Sequence, residues 1–208
     1  MLYTQSLGIG LIPIEEQQDQ IYELVDRIKQ EFDLTFATER GISIPHLTLF
    51  QGVYQDESQV VNTISSTSIS LPRHQPVKGL TIWAQKILFL DCEKTPDLYQ
   101  AHNRVFERLF PLCEGKSADP QNFIGITSGQ QKSFNETGYP FSLQEYLPHF
   151  TLSHLKDPTL YIQPTTQQRL NDLLSISPIR KGIDFEKLIV YRVGLLGACK
   201  EFVYQTPL

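Results

Sequence analysis

The chain is poor in the residues that staple or metallate a fold. Its 208 residues hold three cysteines, Cys92, Cys113 and Cys199, an odd number, widely spaced and with no CxxC pair. That excludes a disulfide framework and offers no structural zinc pattern, so a reducing, cytoplasmic setting is expected. Basic charge is also short: 18 Lys and Arg stand against 23 Asp and Glu, a net charge of −5. Broad, salt-driven binding to long nucleic acid needs a basic face to neutralise many phosphates, which this balance does not supply, although a small or terminal phosphate ligand fits it. No run approaches the roughly 18 apolar residues of a membrane span. The start, MLYTQSLGIGLIPIEEQ, lacks the basic residues and long apolar stretch of a secretory signal, so no membrane segment is expected. What remains is an ordinary folding composition, 40% hydrophobic and 20% charged, in a chain sized for one compact body or two interleaved lobes. Nothing in it calls for a dimer, and a monomer is expected.

The periodicities alternate between helix and strand. Residues 2–14 read as a strand ending at Pro13, followed by a helix over 15–32 in which Ile21, Leu24, Val25, Ile28 and Phe32 keep a 3.6-residue spacing. A weaker helix is expected from Asp56 to about Ser66, then a hairpin of strands over 77–84 and 86–92. Thr95-Pro96-Asp97 has the form of an N-cap with Pro at the first helical position and opens a helix to about Phe110. Residues 115–148 are rich in Gly, Ser, Asn, Gln and Pro without a sustained period and read as a long loop. Thr165 or Thr166 caps a short helix, and strands over 185–196 and 201–205 close the chain. Motif strand, helix and strand pair recur in each half, the mark of an old internal duplication.

Histidine is scarce too, with five in the chain, yet two of them stand in matching settings: SIPHLTLFQG at 43–52 and YLPHFTLSHL at 146–155. A coincidence of Pro-His-x-Thr twice is on the order of one in several thousand, which overturns the ordinary reading of a strand histidine as structural. On a regular strand His46, Thr48 and Phe50 point one way and Leu47 and Leu49 the other. His149, Thr151 and Ser153 likewise oppose Phe150 and Leu152. Two imidazoles and two hydroxyls facing one cleft suit a phosphate diester. Hydroxyls hold the oxygens, while an imidazole with an ordinary pKa of about 6.5 can serve as base and its partner as acid. A zinc site would need a third His, Cys or carboxylate, where the motif supplies Thr, so no metal and no cofactor is expected.

The paired PHLTL and PHFTL, about a hundred residues apart, resemble the signature of the two-histidine (2H) phosphoesterase superfamily, which includes RNA 2′,5′-ligase and 2′,3′-cyclic phosphodiesterase-like enzymes. The resemblance implies an α+β, bilobal fold of two pseudo-symmetric antiparallel sheets flanked by helices around a central cleft, over residues 1–208 as one domain. It implies hydrolysis of a 2′,3′-cyclic phosphate or 2′,5′-phosphodiester of a nucleotide or RNA end, with His46 and His149 as catalytic residues and Thr48 and Thr151 as phosphate-binding hydroxyls. By likeness to cyclic phosphodiesterases, His149 is the base and His46 the acid. Where many bacterial members carry Arg after the second motif, this chain has Ser153-His154. Two alternatives stay open: a non-catalytic module for a nucleotide or RNA end, and a phosphoesterase acting on a non-RNA cyclic phosphate ester.

Other residues have weaker claims. Phe50 either stacks on a base from the cleft or packs between lobes. Tyr139 and Tyr146 either close over a base or anchor the loop, and Arg40 either neutralises a phosphate or stays solvated. His154, five positions from His149, is expected to face away from the cleft. His102 is expected to be buried and hydrogen-bonded, His74 to lie in a surface loop, and Trp83 to pack on a sheet.

Overall fold

The computed structural model describes residues 4–115, 125–194 and 197–208. Residues 2–3 of the first expected strand, 195–196 of the strand expected over 185–196, and 116–124 of the expected long loop lie outside these. Strand β1 (Gln5–Pro13) leads into helix α1 (Glu15–Glu31), with Glu15 and Glu16 at its positive end and Lys29 in its last turn. Then follow β2 (Leu34–Ala37), β3 (Leu47–Tyr54) and α2 (Glu57–Ser66), the last capped by Asp56. The two-residue β4 (His74–Gln75) precedes a hairpin of β5 (Val77–Trp83) and β6 (Ile87–Cys92). Its three-residue turn, between paired Trp83 and Ile87, sets Ala84 and Gln85 at positive φ of 48° and 67°. Helix α3 (Pro96–Leu109) starts at Thr95 as expected, the Thr95 hydroxyl accepting from the Leu98 N–H.

Three elements went unread in the sequence. Two are the short strands β2 and β4. The third is α4 (Ser128–Thr137), inside the expected loop. A reciprocal capping box between Thr127 and Gln130 opens it, and Gly138 at φ 77° ends it. Its sequence, SGQQKSFNET, has no apolar stripe to announce a helix, so the caps carry the signal. After β7 (His149–Leu155) comes α5 (Pro164–Ser175), which begins earlier than expected: Gln163, not Thr165 or Thr166, is the N-cap residue. Strands β8 (Ile183–Val193) and β9 (Cys199–Pro207) follow.

The strands form two antiparallel sheets, as the resemblance implied. One has the order β3-β1-β8-β4, with β9 also on β8; the other has the order β2-β7-β6-β5. The halves exchange their strand pairs. The β5–β6 hairpin follows β3 in the chain but pairs with β7, while the β8 and β9 pair that follows β7 joins the sheet of β3. Helices α1 and α5 pack together, touching β7 and β5, and α2 and α3 pack together with α3 on β3. One continuous apolar core runs under both sheets, from Leu7, Ile9 and Leu11 to Leu88, Leu90 and Phe150. Strands β3 and β7 meet where the sheets adjoin. No helix among the described residues is long and apolar enough to cross a membrane.

Candidate active site

Each motif begins with a proline between a carbonyl and the histidine that binds it. The Nδ1–H of His46 donates to the Ile44 carbonyl at 2.8 Å, and that of His149 donates to the Leu147 carbonyl at 2.7 Å. Pro45 and Pro148 fix their own φ and hold the preceding residue extended, which keeps the carbonyl two residues upstream within reach of the ring. Nδ1 is thereby occupied in both rings, and Nε2 is the nitrogen left for a ligand.

Just past each threonine the pairing slips. Ile9 and Gly10 are adjacent on β1, yet their partners are Phe50 and Thr48, which leaves Leu49 as an extra residue. Leu88 and Phe89 are adjacent on β6 and pair with Ser153 and Thr151, which leaves Leu152 extra. The motif strands thus carry the same bulge at the same position, a device common beside active sites because it re-aims side chains.

The bulges correct several expectations based on regular alternation. Phe50 does not share the face of Thr48: it pairs with Ile9, is fully buried, and packs edge-on against Phe106 and Tyr139. Ser153 pairs with Leu88 on the opposite face from Thr151, and its buried hydroxyl has no hydrogen-bond partner. His154, expected to face away, pairs with Ile87 on the side of His149 and Thr151, and is buried edge-on to Phe36. Two further candidates are engaged elsewhere. Arg40 forms an ion pair with Asp19 at 2.6 Å and lies over the Tyr22 ring. Tyr146 is buried, stacks on His102 with ring centroids 4.0 Å apart, and donates to the Thr48 carbonyl, so it anchors the loop.

His46 and His149 are 9% and 8% exposed, beside half-buried Thr48 and Thr151. The His149 ring stacks on Phe89 at 3.8 Å and meets Phe141 edge-on at 4.9 Å, while His46 packs against Tyr191 at 4.5 Å. Burial is the main cause that lowers both imidazoles to about 4. The carbonyls of Ile44 and Gly197 partly offset it for His46; at His149 the Leu147 carbonyl offsets it and charge on His46 opposes protonation. The two rings, 103 positions apart in sequence (149 − 46), therefore lie within electrostatic reach of each other. Ring contacts also link the motif strands: Phe50 of β3 meets Tyr139 at 6.1 Å, Tyr139 meets Phe141 at 5.6 Å, and Phe141 meets His149.

Phe89, Phe141 and Tyr191 went unnoticed as site residues in the sequence. Among the described residues no three His, Cys, Asp or Glu side chains cluster to hold a metal ion. Of the remaining histidines, His102 is buried and bonded on both nitrogens, as expected, while His74, expected in a surface loop, is exposed but lies on strand β4, where it pairs with Asp184. Trp83 packs on Phe89 and Phe141.

No protein-family model matches the sequence, and no curated protein matches it. Among solved structures, the chain is similar to a phosphoesterase at 15% identity and a TM-score of 0.52, over 99% of this chain and 96% of that one. It is similar to Usb1 of Kluyveromyces marxianus at 12% identity and a TM-score of 0.50, over 98% of each chain. E. coli LigT, solved in complex with 3′-AMP, aligns at 14% identity and a TM-score of 0.48, over 99% and 95%. At such identities the likeness is one of fold. The chain has the fold of the phosphoesterase and of Usb1, with two antiparallel sheets that each carry one histidine motif.

Proposed function

We propose that the chain is a phosphoesterase that opens a 2′,3′-cyclic phosphate, or cleaves a 2′,5′-phosphodiester, of a nucleotide or RNA end, with His46 and His149 as the acid–base pair. The observation that carries this reading is the matched pinning of both rings at Nδ1, which leaves two Nε2 atoms for one ligand. On a cyclic ester, His149 Nε2 takes a proton from water as the water oxygen bonds to phosphorus. His46 Nε2–H gives its proton to the ribose oxygen as the P–O bond breaks, leaving a phosphate monoester. Thr48 and Thr151 hold the non-bridging oxygens. In this reading His46 is the imidazolium partner and His149 the neutral one. A bound anion stabilises the same imidazolium. The acidic surface fits a small ligand held locally rather than a long strand.

The test is turnover of 2′,3′-cyclic mononucleotides by the purified chain. His46→Ala and His149→Ala should each lower kcat by at least about 100-fold, the scale of one lost proton transfer. Tight binding of the cyclic nucleotide without turnover would make the chain a binding module instead. Neither binding nor turnover would remove the reading.

A further inference from the structure

Tyr191 lies on β8, separated from Thr48 by the whole width of β1. Its ring crosses that strand because the strand has no side chains there. Gly8 pairs with Tyr191 and Gly10 with Thr48; a Cβ on Gly8 would collide with the Tyr191 ring and hydroxyl, and one on Gly10 would stand 3.5 Å from the ring. The Gly-Ile-Gly of β1 is thus a trough. The phenol at its far end meets the Thr48 Oγ1 at 3.0 Å, and the same ring is the one packed against His46.

The direction of that hydrogen bond follows from burial. Tyr191 is fully buried, and Thr48 Oγ1 is the partner of its hydroxyl. Were Thr48 the donor, the phenolic proton would be buried with no acceptor, a cost of about 1–3 kcal/mol. Tyr191 therefore donates. A hydroxyl has one proton and two lone pairs, so a phenol that donates to one lone pair leaves the Thr48 proton free to point elsewhere. With the Tyr191 phenol on its acceptor side, the proton of half-buried Thr48 is directed to the open side of the residue.

We propose that Tyr191 is a positioning residue that makes Thr48 a one-way donor, selecting for a ligand group that only accepts, such as the unprotonated oxygen of a phosphate ester. The inference rests on the phosphoesterase reading and deepens it. It also assigns the two glycines a role in the site.

The test compares Tyr191→Phe, Thr48→Val and the double variant, reading inorganic phosphate affinity by calorimetry and kcat and KM on a 2′,3′-cyclic nucleotide. Tyr191→Phe keeps the ring in its trough and against His46. It should weaken phosphate about tenfold and raise KM to match, with kcat changed less than about twofold. In the Thr48→Val background it should have no further effect, since both substitutions remove the same donor. Gly8→Ala keeps the phenol in the chain but pushes its ring and hydroxyl off β1, and should weaken phosphate as well. Unchanged phosphate affinity in Tyr191→Phe, or losses that multiply in the double variant, would overturn the inference alone. Phosphate binding without hydrolysis by the wild type would overturn the hydrolytic reading alone, and a wild type that binds no phosphate would remove both.

Discussion

The Nδ1–H of His102 donates to the carbonyl of Leu49 at 2.6 Å, and Leu49 is the extra residue of the β3 bulge. The other nitrogen, Nε2, accepts the N–H of Leu143 at 2.9 Å. The second bulge is tied down in the same place, the Leu152 carbonyl accepting from the Thr38 N–H at 2.8 Å. Each motif strand is therefore held at its irregular point by one more hydrogen bond: in β7 it comes from Thr38, next after β2 in the same sheet, and in β3 from a neutral imidazole of one fixed tautomer.

His102→Ala removes both bonds from a buried position and the stack on Tyr146. It should lower stability by about 2–4 kcal/mol, as buried partners left unmet do. His102→Asn, whose amide can replace the Nδ1 donor but not reach Leu143, should fall between. Urea unfolding of the three proteins checks the order; equal stabilities would mean that the bulge holds itself.

Four rings, His46, His102, His149 and His154, are lowered to about 4, chiefly by burial. In the unfolded chain each titrates near 6.5, so between pH 6.5 and 4 the unfolded state binds more protons and stability falls as pH falls. One ring is worth up to about 3 kcal/mol over that window at 1.36 kcal/mol per unit. Two of them rival the total stability of an ordinary domain. The melting temperature should drop steeply below pH 6.5, and added phosphate should protect by favouring charged His46 and His149. A flat profile from pH 7 to 4.5 would contradict the burial of these rings.

Asp91 works in the opposite sense. It pairs with His149 across β6 and β7, is nearly buried, and accepts from the Thr81 hydroxyl while its Oδ1 has no partner. Burial, more than Thr81 and Lys78 can offset, raises it to about 6. Here the folded state binds the extra proton, so stability falls as pH rises from about 4 through 6. Asp91→Asn should stabilise the protein at pH 8 by about 1–2 kcal/mol, after the cost of an unpaired amide, and should give no gain at pH 4.5. Thermal melts at the two pH values decide it.

The sequence disclosed the chemistry better than the geometry. The doubled Pro-His-x-Thr, the apolar stripe of α1 and the cap of α3 are local signals, and they were readable. Strict alternation then failed for Phe50, Ser153 and His154, all beyond the threonine, because a bulge is a property of two paired strands and not of one. Tyr191 was invisible for the same reason: its partnership with Gly8, Gly10 and Thr48 exists only once β1 is known to lie between β3 and β8. Helix α4 was missed because its ends, not its faces, specify it.

The prolines of the two motifs invite a last experiment. Pro148 stands between the Leu147 carbonyl and His149, and its own carbonyl accepts from the Cys92 N–H at 2.9 Å, so the turn is anchored to β6 whatever residue occupies it. Pro148→Ala should therefore cost only the entropy that proline removes from the unfolded chain, about 0.4–1 kcal/mol. The ring is another matter: freeing Leu147 to leave the extended region lets its carbonyl swing away from Nδ1, and the imidazole can then change tautomer or rotamer. We expect kcat to fall several-fold with KM nearly unchanged, and nitrogen NMR of His149 to show Nδ1–H no longer as the single tautomer. Full activity in the variant, or a loss entirely explained by unfolding, would mean that the repeated proline serves the backbone and not the histidine.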